Sequence, residues 1–109
     1  MVGRTAIAAR RRPTILELPV PGGRVAVAER GSGVPILFLH GGTGTGAFDW
    51  GAIAERLSRR GYRTLVPDLR GHGVSQNDEP ELGVLRFGLD ATHVLRGLGV
   101  PRAVHVGVG

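Results

Sequence analysis

Residues Pro35-Ile36-Leu37-Phe38-Leu39 form an uninterrupted apolar run that ends abruptly at His40-Gly41-Gly42. Side chains alternate between the two faces of a strand, so a strand that is apolar at every position must be covered on both. Helices on either side of a largely parallel sheet supply that cover. The following segment agrees. Trp50, Ile53, Ala54 and Leu57 recur at helical spacing, with Glu55, Arg56, Arg59 and Arg60 on the other side. Asp49 is a fitting N-cap and Gly61 a C′ stop. Tyr62 to Val66 then predicts a second buried strand.

The pattern extends in both directions. Thr14 to Val20 and Arg24 to Glu29 alternate in part and are joined by Pro21-Gly22-Gly23, which predicts an antiparallel hairpin. Gly31-Ser32-Gly33 is a turn. Pro67 to Pro80 reads as a polar loop. A second helix is expected from about Leu82 to Leu98, weakened by Gly83 and Gly88, with Leu85, Leu89, Thr92 and Leu95 on one face. Val104, Val106 and Val108 belong to a last strand. The order is β-β-β-α-β-α-β. This is an α/β fold: an antiparallel first hairpin, then parallel strands joined by right-handed crossover helices, five strands in all.

A chain of 109 residues has room for one small domain, assigned here to residues 14–109. Arg4, Arg10, Arg11 and Arg12 fall in an acid-free stretch before it, so residues 1–13 are expected to be a disordered basic leader. That leader supplies most of the formal net charge of +5. The rest of the chain is nearly neutral, and no aromatics interleave the leader's arginines, so nucleic acid is not an expected partner. No apolar run approaches the roughly 18 residues of a spanning helix, which excludes a membrane helix. Pro13, Glu17, Pro19 and Pro21 interrupt any export signal after the arginines, leaving a cytoplasmic location as the expectation. With no cysteine, disulfides and thiolate metal sites are excluded. Four scattered histidines without i,i+4 pairing make a metal site a weak reading.

Ligands of parallel sheets bind beyond the carboxyl ends of the strands. Three such ends are expected: His40-Gly41-Gly42, the segment Asp68 to Gly73, and Gly107-Val108-Gly109. A strand running into His-Gly-Gly leaves backbone N–H groups free to point at an anion, and glycine lets a substrate approach them closely. A competing reading is nucleotide binding. Gly42-Thr43-Gly44-Thr45-Gly46-Ala47 satisfies G-x-G-x-x-A, and Asp68 follows near the position that holds a ribose. Against it stands the expected helix start at Asp49, because a dinucleotide fold opens its helix within the glycines. A P-loop fails, since Ala47 follows the Gly41 to Gly46 spacing and the chain has no lysine.

Leu37-Phe38-Leu39-His40-Gly41-Gly42, the spacing from His40 to Trp50, and Val66-Pro67-Asp68-Leu69-Arg70-Gly71-His72-Gly73-Val74-Ser75 together resemble the amino-terminal half of an α/β-hydrolase. The last of these motifs is the most specific. The resemblance implies cofactor-independent hydrolysis of an ester, lactone or related bond in a small-molecule substrate. It places an oxyanion-hole N–H at Gly42, a structural turn residue at His40 beside Gly41, and an anchor for the first helix at Trp50. It makes Asp68, Arg70, His72 and Ser75 part of a loop beside the pocket, either rim or structure. The family's second oxyanion donor follows the nucleophile in a Gly-x-Ser-x-Gly elbow. In an ungapped reading Gly107 takes the first glycine and Gly109 the nucleophile position, where it offers no nucleophilic atom. The 109 residues therefore carry no triad and are expected to be inactive alone. They read as the amino-terminal portion of a hydrolase or, alternatively, as a degenerate hydrolase-like binding module. Residues 102–109 are expected to form an apolar edge strand open to self-association or to a complementing chain.

Overall fold

The computed structural model describes residues 12–41, 44–70, 72–77 and 84–107. β1 (Thr14–Val20) and β2 (Gly23–Arg30) form the hairpin, paired antiparallel from Thr14–Glu29 to Val20–Gly23. Pro21 and Gly22 make its turn; Gly22 has φ +76°, which a proline-glycine turn requires at its second central position. β3 (Val34–Leu39), α1 (Gly46–Ser58) and β4 (Tyr62–Pro67) follow as one parallel unit. β5 (Gln76–Asn77) is a two-residue strand inside the segment expected to be only loop, and it pairs with the start of β2. α2 (Val84–Gly97) and β6 (Val104–Gly107) complete the chain. The expected start of α2 at Leu82, nearly all of the basic leader, and Val108 lie outside the described residues.

The sheet runs β1-β2-β4-β3-β6, with β2 antiparallel to β4 and the last three strands parallel. The crossover through α1 places β4 beside β3 on the hairpin side; the crossover through α2 passes back over β3 to its other side. Right-handed crossovers in opposite directions require helices on opposite faces, and the core is divided accordingly. Val25, Val27, Leu37 and Leu65 pack with Ala91 and Val94 of α2 on one face. Ile36, Phe38 and Val66 pack with Ala54 of α1 on the other. Successive residues of β3 thus serve alternate cores, which is why the run had to be apolar throughout.

Two helix expectations need correction. α1 starts at Gly46 with Thr45 as N-cap, its hydroxyl accepting the Phe48 N–H at 3.3 Å, so Asp49 lies in the first turn and does not cap it. At the other end Gly61 adopts φ +90° two residues past the C-cap Arg59. In α2, Leu89 is 43% exposed and Thr92 is exposed, whereas Asp90, Ala91 and Val94 are buried. The helix is rotated from its expected face because Asp90 must reach a buried cation, described below.

β6 has one neighbour, β3, among the described residues, and its Val104 is 52% exposed. The rotation of α2 is tested by a pair of truncations. Val94→Ala is expected to cost about 2–3 kcal/mol, from lost methyls and a residual cavity, in urea denaturation. Leu89→Ala, on the exposed side, is expected to cost less than about 0.5 kcal/mol. The reverse order would restore the leucine face as the buried one.

Candidate active site

The strand order reverses direction at β3, whose carboxyl end lies between those of β4 and β6. In open α/β sheets the ligand crevice forms outside such a reversal. The residues gathered there are His40 and Gly41 from β3 and the segment Asp68 to Ser75 from β4. Gly42 and Gly109, assigned as oxyanion donor and as occupant of the nucleophile position, lie outside the described residues, as does Gly71.

β3 and β4 pair in register only as far as Leu37 and Leu65. Beyond that point the imidazole of His40 bridges the two strand ends. Its Nε2 accepts the buried Leu69 N–H at 2.9 Å, and its Nδ1 donates to the Gly41 carbonyl at 2.7 Å. The ring is 3% exposed, so both nitrogens are committed within the fold and the Nδ1–H tautomer is selected. Trp50 ties α1 to the end of β3. Its indole N–H donates to the Leu39 carbonyl at 2.9 Å, and its ring meets Phe38 at 5.4 Å between centroids.

Asp68 organises the second loop. Its Oδ1 accepts the Gly46 N–H, the first of α1, at 2.8 Å, and its Oδ2 accepts the Val74 N–H at 3.3 Å. Both contacts depend on missing side chains. A Cβ on Gly46 would lie 2.7 Å from Val66 Cγ1, and one on Gly73, where φ is +52°, would lie 2.3 Å from Asp68 Oδ2. Ser75 closes the loop, its hydroxyl donating to the Asp68 carbonyl and accepting the Ala26 N–H at 2.8 Å. His72 is half-buried, its Nδ1 at 3.1 Å from the Arg70 carbonyl and its ring edge-on to Phe87 at 5.8 Å. Its ring also lies 5.0 Å from that of His40. Asp68 and Ala47 line a cavity of about 120 Å³ with Ala26, Ala28 and Arg30. Burial there lowers the Arg30 guanidinium from its usual range, partly offset by the Glu55 carboxylate.

Arg70 is not on a rim. It is fully buried, with Nε donating to Asp90 Oδ2 at 2.5 Å and Nη2 to Asp90 Oδ1 at 2.6 Å. The same Nη2 donates to the Pro21 carbonyl at 2.7 Å. One planar fork therefore joins the loop, the β1–β2 turn and α2. Nothing in the sequence names Asp90 as the partner, although an acid beside Ala91 and Val94 on a buried face signals that a cation must meet it. Asp90→Ala leaves the guanidinium buried and uncompensated, at an expected cost of about 3–5 kcal/mol in urea denaturation. Replacing both partners, Arg70→Met with Asp90→Leu, is expected to recover part of that loss.

The described glycines also bear on nucleotide binding. α1 does begin within them, at Gly46, which removes the late-start objection raised by the sequence. A different objection replaces it. The helix N-terminus is already occupied by an internal anion, the Asp68 carboxylate, and a second carboxylate, Asp49, accepts the Gly41 N–H at 2.9 Å. Two fixed negative charges repel a pyrophosphate at that position, and both oxygens of Asp68 are already engaged by the N–H groups of Gly46 and Val74. His93, on α2, is half-buried; His105, on β6, is exposed.

Sequence and structure comparisons agree on the lineage. A sequence model of the alpha/beta hydrolase fold matches residues 34–108. The non-heme haloperoxidase of Rhodococcus erythropolis is 39% identical over 77 residues, covering 71% of this chain and 28% of that protein. Among solved structures, an epoxide hydrolase from Vigna radiata superposes with a TM-score of 0.78 at 32% identity, covering 88% of this chain and 30% of that one. An epoxide hydrolase from an endophytic Streptomyces gives 0.77 at 30% identity, covering 87% and 29%. The chain spans less than a third of the length of each of these relatives. These matches each cover most of this chain and only part of a larger protein, and this chain belongs to the alpha/beta hydrolase fold family.

Proposed function

We propose that the chain is the amino-terminal portion of a cofactor-independent hydrolase and supplies one donor, the Gly42 N–H, of its oxyanion hole. The observation that supports this reading is the His40 bridge, which holds Gly41, the residue before Gly42, at the carboxyl end of the strand where the sheet order reverses. An N–H directed there stabilises charge that develops on a carbonyl oxygen as it is attacked. The nucleophile, the acid and the general base come from polypeptide other than these 109 residues. The substrate is an ester, a lactone or a related polarised bond. The names of relatives, which include an esterase/perhydrolase of Acinetobacter calcoaceticus and a haloalkane dehalogenase of Agrobacterium fabrum, support that chemical range.

Joining this chain to the carboxyl-terminal remainder of the Acinetobacter esterase tests the reading. The hybrid is expected to hydrolyse p-nitrophenyl acetate saturably, and Gly42→Pro, which removes the N–H, is expected to lower kcat about 10²–10³-fold. The unjoined chain is expected to show no saturable turnover. A folded hybrid without activity, or turnover by the unjoined chain, would overturn it.

The side of β6 that has no strand partner among the described residues also belongs to this reading: it receives the next strand of the complete sheet. When that strand is not supplied, unpaired backbone groups and exposed Val104 are expected to recruit a second copy. Size-exclusion chromatography with light scattering is then expected to give species heavier than the 11.5 kDa chain. A monodisperse monomer with cooperative unfolding would remove this part of the proposal.

A further inference from the structure

Asp49 is used neither by the cap of α1 nor by its core. Its carboxylate leaves the first turn of the helix and enters the glycine loop. Oδ2 accepts the Gly41 N–H at 2.9 Å. A Cβ built on Gly44 would lie 2.6 Å from both carboxylate oxygens, so the group is lodged directly beneath that residue. The loop is closed above it by the Gly44 N–H donating to the Gly41 carbonyl at 3.1 Å. The neighbouring Trp50 holds the Leu39 carbonyl. Consecutive residues of one helical turn thus grip the strand end and the loop that leaves it.

We propose that Asp49 is a positioning residue of the oxyanion loop, a role that rests on the reading of Gly42 as donor. It acts in two ways. It holds the two shoulders of the loop, Gly41 and Gly44, at a fixed separation. It also consumes the Gly41 N–H, so that this amide does not compete with that of Gly42 for the substrate oxygen. A carboxylate is suited to this because an ionised acceptor makes a shorter and stronger bond to an N–H than a neutral one. Side-chain-free Gly44 is what admits it.

Amide hydrogen exchange on the ¹⁵N-labelled 109-residue chain provides the test. Gly41 is expected to exchange at least about tenfold faster in Asp49→Leu than in the parent, since it loses its acceptor. Asp49→Asn keeps an acceptor oxygen and is expected to hold the Gly41 rate within about threefold of the parent. Gly44→Ala, which displaces the carboxylate without altering it, is expected to reproduce the effect of Asp49→Leu at Gly41 and serves if that variant fails to fold. In the esterase hybrid, Asp49→Leu is expected to lower kcat roughly 10- to 100-fold with KM changed less than about twofold, and Asp49→Asn to restore most of the loss. Unchanged Gly41 exchange in both Asp49→Leu and Gly44→Ala would overturn the proposal, as would a lost Gly41 bond with undiminished kcat. The exchange readout needs no turnover. Failure of the oxyanion reading shows separately, as a Gly42→Pro hybrid with unchanged kcat.

Discussion

A fully buried guanidinium ties three elements of this molecule together, and the chain around it is arranged to satisfy it. Arg70 cannot be neutralised by losing a proton, so burying it demands a matched carboxylate and acceptors for its remaining N–H groups. Asp90 supplies the first, and the carbonyls of Pro21 and Gly22 are among the second. Those partners come from α2 and from the hairpin turn, elements far apart in sequence. Meeting them sets how α2 is rotated, where the hairpin ends, and how the loop after β4 leaves the sheet. An apolar core of the same size would tolerate several small rotations of the helix; a two-pronged ion pair tolerates one.

With that loop held from below, Asp68 acts from above. Its carboxylate faces the first N–H of α1, where the helix dipole favours negative charge, and the Val74 N–H, so the loop and the helix start move as one body. His40 adds the seam between β3 and β4 where the backbone ladder has ended. Three side chains of opposite character, a cation, an anion and a neutral ring, thereby fix the crevice end of the sheet while few backbone ladder bonds reach it. The rigidity that catalysis asks of a donor loop is supplied by side chains reaching across strand ends.

Much of this was legible from residues alone, and the parts that were not have identifiable reasons. The double-sided burial of β3 followed from Pro35 to Leu39 because alternation on a strand leaves no other solution. The hairpin followed from Pro21-Gly22-Gly23, whose turn chemistry is local. Asp68 and Ser75 were legible as a loop motif by resemblance, though not their partners. What local pattern could not reveal were choices between near-equal alternatives settled at long range. Thr45 and Asp49 are both acceptable N-caps, and the contest was decided by Gly46 fitting against Val66. Leu85, Leu89 and Leu95 make a plausible apolar stripe, but the ion pair to Arg70 outweighs it and turns Leu89 outward. The pairing of Gln76 and Asn77 with β2 carries no hydrophobic signal at all.

The pairing of β6 with β3 joins Ile36 to Val104, the widest sequence separation of any strand pair described here. Closing so long a loop is entropically the most demanding contact of the sheet, and it is repaid by only four residues of ladder on one side of the strand. The hairpin and the β3–α1–β4 unit have nearer partners and no such handicap. Among the longer strands β6 is therefore expected to dock last as the chain folds and to detach first as it opens, which would make the flank of the crevice slow to assemble and readily exchanged.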